Sequence, residues 1–87
     1  MDWERTFRQA EGLEINKVAD GYIVYQPERD RVHYLNHISV VILELCTGSV
    51  RAGEIPSFLK DAYDLPESPT AEVEQCLTKL LEEEILK

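Results

Sequence analysis

The sequence predicts an α+β domain in which a three-stranded antiparallel sheet is followed by three helices. Residues 13–35 are rich in β-branched and aromatic residues and are interrupted by turn signals. From Ile38 onward, apolar residues instead recur at helical spacing. A run of strands followed by a run of helices is typical of α+β domains, and 87 residues are enough for one modest core.

The three predicted strands are short and are joined by polar turns. "LEINKVA" and "YIVYQ" are separated by Asp20-Gly21, a dipeptide typical of tight hairpins. "QPERDR" follows, in which Pro27 can start a turn, and the third predicted strand is "RVHYL", Arg31–Leu35. Two successive hairpins predict an antiparallel meander.

The first predicted helix has an N-cap and a C-terminal glycine. Asn36 lies just before the helix, where its side chain can accept a hydrogen bond from a free backbone N–H, and Ser39 is a competing cap about half a turn later. Gly48 lies just beyond the last apolar residue, at a position that glycine commonly fills. Between them, four residues form an apolar stripe: Ile38, Val41, Ile42 and Leu45.

The second and third predicted helices are both marked by proline. The second begins near residues 52–54, with Pro56 in its first turn, and ends near Tyr63. The third has Ser68 as N-cap and Pro69 as first helical residue. Its apolar stripe continues to Ile85, which predicts a helix that runs nearly to residue 87.

Residues 1–11 are predicted to be a flexible N-terminal tail, and residues 12–87 the folded domain. Trp3 and Phe7 are four residues apart and could form one amphipathic helical turn that docks on the domain. The segment has no apolar stretch of the kind found in secretory signals, which predicts a cytoplasmic protein.

The charge balance argues against nucleic acid and membrane as partners. The chain has 17 acidic and 9 basic residues, a formal net charge of −8. Both phosphate backbones and anionic membranes repel such a protein, and no apolar run approaches the ~20 residues of a membrane span.

No motif in the sequence predicts catalysis, a metal site or a cofactor. Cys46 and Cys76 are far apart in the chain and are predicted to be reduced, buried thiols. His33 and His37 lie on either side of the strand-to-helix junction, so they do not converge as metal ligands on one helix face. Glu44 could act with a histidine as an acid–base pair, but an exposed carboxylate on the first helix is the better interpretation.

The third strand is a candidate binding edge. Three strands cannot close a barrel, so at least one strand keeps unpaired N–H and C=O groups, which proteins either shield or use to bind another strand. Arg31–Leu35 contains neither proline nor glycine.

Several features together resemble the PqqD family of peptide chaperones, also called RiPP recognition elements. They are a short strand ending in Leu35-Asn36, an apolar helix ending at Gly48, Glu54-Ile55 opening the next helix, and a closing stripe in "VEQCLTKLLEEEIL". The resemblance covers about residues 12–87, and Pro56 departs from it.

This resemblance implies a winged helix-turn-helix-like fold without enzymatic activity. It also implies that the protein binds the leader of a ribosomally made precursor peptide and presents it to a modifying enzyme, such as a radical SAM maturase or a leader peptidase. The leader would add as a strand and lie in a groove between the third strand and the third helix. The implied peptide-binding residues are Arg31, Val32, His33, Tyr34 and Leu35 on the strand, and Val73, Cys76, Leu77 and Leu80 on the helix.

Two other functions remain open on the sequence alone. One is a winged-helix DNA-binding regulator, although the second and third helices offer few basic residues, chiefly Lys60 and Lys79. The other is an adaptor for a protein that is not a precursor peptide.

An acidic binding protein would favour a peptide with Lys or Arg beside its apolar anchors, since complementary charge speeds association.

Overall fold

Five strands and three helices build the domain, and the computed structural model describes residues 1–87. Their order is β1 (Thr6–Arg8), β2 (Glu14–Val18), β3 (Gly21–Gln26), β4 (Arg31–Leu35), α1 (His37–Leu45), β5 (Thr47–Arg51), α2 (Glu54–Ala62) and α3 (Thr70–Glu82). The predicted α+β arrangement of a three-stranded sheet followed by helices is confirmed. The third predicted strand is β4.

Strands β2, β3 and β4 form the antiparallel meander that the turn signals predicted. Val18 pairs with Gly21 across the first hairpin, and Gln26 pairs with Arg31 across the second. A Cβ atom on Gly21 would lie 2.7 Å from the carbonyl oxygen of Leu35. Glycine is therefore needed where β3 passes the end of β4.

Helix α1 begins as predicted but ends differently. The Asn36 side chain accepts a hydrogen bond from the Ser39 N–H at 2.9 Å, which confirms the N-cap. The helix ends at Leu45, with Cys46 as its C-cap. Gly48 is not the C-terminal glycine of α1, because it lies inside β5 with φ 90°.

The structure corrects the prediction for the N-terminal segment. Thr6–Arg8 forms β1, which pairs antiparallel with β5, and neither strand was predicted. The Phe7 side chain is 2% exposed, so this part of the predicted flexible tail supplies a core residue and no helical turn. An apolar residue between exposed Thr6 and Arg8 suits a strand with one buried face.

Helix α2 matches its predicted bounds, whereas α3 is shorter than predicted. Pro69 is the N-cap of α3 and has no side-chain capping bond, so Ser68 is not the cap. The helix ends at Glu82, and Glu84 adopts a left-handed conformation with φ 59°. Leu86 then bridges Gln9 beside β1. The apolar residues after Glu82 are therefore buried by a turn and a strand-like contact, not by a longer helix.

One core joins every layer of the fold. It contains fifteen buried apolar residues: Phe7, Val24, Leu35, Val40, Ile42, Leu43, Cys46, Ala52, Ile55, Leu59, Val73, Leu77, Leu80, Ile85 and Leu86. Both termini and all three helices contribute to it. None of the helices has the length and apolar content required to cross a membrane.

Candidate functional site

Strand β4 forms one edge of the three-stranded sheet. The strand order is β2-β3-β4, so β4 pairs only with β3, and no loop or turn backbone hydrogen bond engages residues 31–35. Backbone N–H and C=O groups along its outer side are therefore open to another strand. Strand β2 forms the opposite edge of the sheet. Helix α1 packs against the other two strands, β3 and β4.

The register of the sheet assigns the faces of β4. Val24, which is fully buried, is opposite His33, and this places Arg31, His33 and Leu35 on the inner face. Leu35 is 6% exposed and anchors the end of the strand in the core. Val32 and Tyr34 point outward and are 62% and 54% exposed.

His33 ties β4 to the end of α3. Its Nδ1 atom lies 2.7 Å from Glu83 Oε2, and its Nε2 atom lies 2.6 Å from Gln26 Oε1. The Gln26 amide nitrogen donates to the carbonyl oxygen of Glu84 at 3.1 Å. This network fixes the edge strand against the helix.

The predicted helix side of the groove is corrected by burial. Val73, Leu77 and Leu80 are at most 1% exposed and belong to the core, so they are not available to a peptide in this conformation. Cys76 alone of the predicted helix residues is partly exposed. The accessible residues on this side are Cys76 and Lys79 of α3 and the half-buried C-cap residue Glu83, which follow one another at spacings of three and four.

The two cysteines lack the properties of catalytic nucleophiles. Burial, and secondarily the nearby Cys76 thiol, raises the pKa of Cys46 to about 12. Burial also raises the pKa of Cys76, although a hydrogen bond from Ser39 and the charge of Lys79 oppose this effect. Both cysteines are free, and a protonated thiol is a poor nucleophile and metal ligand.

The other polar residues considered as metal ligands or as an acid–base pair lie apart from one another. The His37 ring stacks on Tyr22 at 6.2 Å and meets the edge of Tyr63 at 6.3 Å, away from the His33 network. Glu44 is exposed on α1. No three His, Cys, Asp or Glu side chains are grouped in a way that could hold a metal ion.

Sequence reasoning missed an apolar pocket between the helices. The pocket has a volume of about 310 Å³ and is bounded by α1, α2, the loop after α2 and the start of α3. The signal that could have found it is Tyr63 and Leu65, an aromatic and an apolar residue that belong to none of the predicted helical stripes. Ile38, the first residue of the predicted stripe of α1, completes the pocket wall.

These features define a small α+β domain with an open strand edge held beside a helix, a class suited to binding an extended chain. The model of the family described as coenzyme PQQ synthesis protein D (PqqD) matches residues 21–86. The chain therefore belongs to the PqqD family. This family consists of non-catalytic accessory proteins, and membership implies a peptide-binding role in a PQQ-type or related biosynthetic pathway. No curated protein and no solved structure matches the chain.

Proposed function

We propose that this protein binds the leader of a ribosomally made precursor peptide as an added strand on β4 and presents it to a modifying enzyme. A radical SAM maturase or a leader peptidase would be such an enzyme. The observation that carries the proposal is the unpaired outer edge of β4 beside α3. Ribosomal precursors are made in the cytoplasm, so the proposal places the protein there.

The edge of β4 is preorganised for strand addition. Leu35 is buried at one end of the strand, and His33 is bonded to both Gln26 and Glu83 near its middle. A strand that is already fixed loses little further entropy when a partner pairs with it, so the ordering cost falls mainly on the peptide. Main-chain hydrogen bonds would supply affinity, and Cys76 and Lys79 would contact side chains of the peptide.

Two edges of the same sheet provide an internal control. Strand β2 offers the same backbone chemistry as β4, but no ion pair or side-chain hydrogen bond links it to a helix. A peptide that only needs an open edge would bind both strands. A peptide recognised by strand and helix together would bind β4 alone.

The test is an amide-resolved NMR titration of the labelled protein with a leader peptide encoded beside its gene, with duplex DNA as a second ligand. We expect shifts at residues 31–35, Cys76, Lys79 and Glu83, and none at residues 14–18. Shifts at β2, shifts only with DNA, or no shifts with the peptide would contradict the proposal.

Backbone methylation of the peptide then tests strand pairing without altering the protein. Methylating every amide nitrogen in turn removes one donor at a time. If the peptide pairs with β4, affinity falls about two- to tenfold at every second residue, as expected for loss of single hydrogen bonds. An equal loss at every residue, or no loss at any residue, would contradict strand pairing on β4.

A further inference from the structure

The pocket between the helices is lined almost entirely by carbon. Its floor is formed by Ile42, Leu59 and Val73, all of which are buried. Its mouth is formed by Ile38, Tyr63 and Leu65, and Ile38 and Tyr63 are each 39% exposed. An apolar cavity of ~150 Å³ already accommodates benzene, so about 310 Å³ is enough for one aromatic or large aliphatic side chain.

The walls of this pocket are held in place before any ligand arrives. Tyr63 is contacted by His37, which itself stacks on Tyr22 of the sheet. Asp64 adopts a left-handed conformation, and the Leu65 N–H donates to the carbonyl oxygen of Lys60 at 2.9 Å. This turn closes α2 and folds Leu65 back over the pocket. A preformed concave apolar surface is the usual form of a small binding site.

The chain segment that supplies most of the pocket lining carries a strong excess of negative charge. Four carboxylates lie in residues 60–72, against the single amine of Lys60: Asp61, Asp64, Glu67 and Glu72. None of these carboxylates forms an ion pair within the protein. Glu72 is the only charged residue that lines the pocket. An occupant with Lys or Arg beside its apolar group would therefore be favoured.

We infer that this pocket takes one bulky apolar side chain from a peptide segment in which Lys or Arg flanks that residue. The pocket is separate from the β4 edge, but it lies near one end of it. Ile38 follows Leu35 by three residues, which span at most about 11 Å.

The direction of strand pairing relates the two sites, a step that rests on the proposed function. An antiparallel partner of β4 has its N-terminal end beside Leu35, from which the chain enters α1. The residues just before the paired segment therefore pass the mouth of the pocket. In a bound leader, the basic–apolar–basic segment lies on the N-terminal side of the strand-forming segment.

Short peptides test the pocket independently of strand addition. Three capped tripeptide amides, Arg-Phe-Lys, Glu-Phe-Glu and Arg-Gly-Lys, are titrated to millimolar concentration against methyl-labelled protein. We expect Arg-Phe-Lys to shift the methyl signals of Ile38, Ile42, Leu59 and Leu65. Glu-Phe-Glu should bind about two- to tenfold more weakly, as two exposed charge pairs allow, and Arg-Gly-Lys should cause no shifts.

Matched variants link the shifts to the pocket. Ile38→Gln should abolish them, whereas Val18→Gln, at a residue with the same 38–39% exposure on β2, should not. Glu72→Gln should narrow the difference between Arg-Phe-Lys and Glu-Phe-Glu. Backbone amide spectra establish that every variant is folded.

Three outcomes would overturn the inference. Failure of Arg-Phe-Lys to shift the pocket methyls would mean that the pocket takes no side chain. Equal binding of Arg-Phe-Lys and Glu-Phe-Glu would show that the pocket does not favour a peptide with basic flanking residues. Shifts of the same methyls on concentrating the protein alone would assign the pocket to a second copy of the chain. Since the tripeptides are too short to add a strand to β4, none of these outcomes depends on leader capture.

Discussion

Asn36 shows how one side chain sets the relation between the edge strand β4 and the helical layer. It follows β4 directly and accepts a hydrogen bond from the Ser39 N–H in the first turn of α1. Leu35 fixes the end of the strand in the core at the same point. This cap was predictable because an N-cap depends on residues within one helical turn. The contacts of His33 were not, because Glu83 is brought near only by the tertiary fold.

Replacing Asn36 by alanine should lower the free energy of unfolding by about 1 kcal/mol, since a backbone N–H at the start of α1 loses its partner. Asn36→Asp keeps a side-chain oxygen that can accept this hydrogen bond, so it should lower the free energy of unfolding by only about a few tenths of a kcal/mol. Urea denaturation followed by circular dichroism measures both values. Equal losses for the two variants would show that the cap does not stabilise the helix.

The cysteines should differ in reactivity within the folded protein. Because burial raises the pKa of Cys46 to about 12, almost none of it is thiolate at neutral pH, whereas Cys76 is more exposed. Limited alkylation with iodoacetamide, mapped by mass spectrometry, should modify Cys76 first and leave Cys46 intact. In denaturant both should react rapidly. Equal rates in the folded protein would contradict the burial of Cys46.

At the scale of elements, the strands and helices with local sequence patterns were predictable, and those made by distant pairing were not. The meander and the bounds of α2 follow from turn residues and helical spacing. Strand β5 contains Gly48 and only one clear apolar residue, so nothing in its own sequence distinguishes it from a loop. Similarly, Ile85 fits the apolar stripe of α3 but is buried by a turn after the helix.

The β1–β5 ribbon should be part of the cooperative fold. Phe7→Ala should lower the free energy of unfolding by about 3–5 kcal/mol, as truncation of a buried phenylalanine does. Thr6→Ala, at the exposed neighbouring position, should change it by less than about 0.5 kcal/mol. Urea denaturation provides the comparison, and a small effect of Phe7→Ala would mean that β1 is dispensable.

At the scale of the whole molecule, the net charge of −8 selects among partners before any contact forms. A long-range negative potential repels phosphate backbones and attracts basic peptides. Composition could not locate a groove or a pocket. Val73, Leu77 and Leu80 form the same helical stripe whether that stripe faces a peptide or the core. The fold turns that stripe inward and leaves Cys76 partly exposed.

A basic peptide should therefore associate with the protein at a rate that falls as salt increases, because ions screen the attraction. Stopped-flow fluorescence with a labelled peptide measures this rate over a series of salt concentrations. A peptide of the same apolar residues with neutral flanks serves as control and should show little dependence. A basic peptide whose rate does not change with salt would exclude electrostatic steering.

The pairing between Arg8 and Lys87 has a consequence for how the protein is made. These residues exchange two backbone hydrogen bonds, and the Ala10 N–H donates to the carbonyl oxygen of Ile85. The first strand thus acquires its last partners only when residues 85–87 have been synthesised and have left the ribosome. Until then the growing chain lacks a finished core, so this domain completes its folding after translation of its own sequence rather than during it.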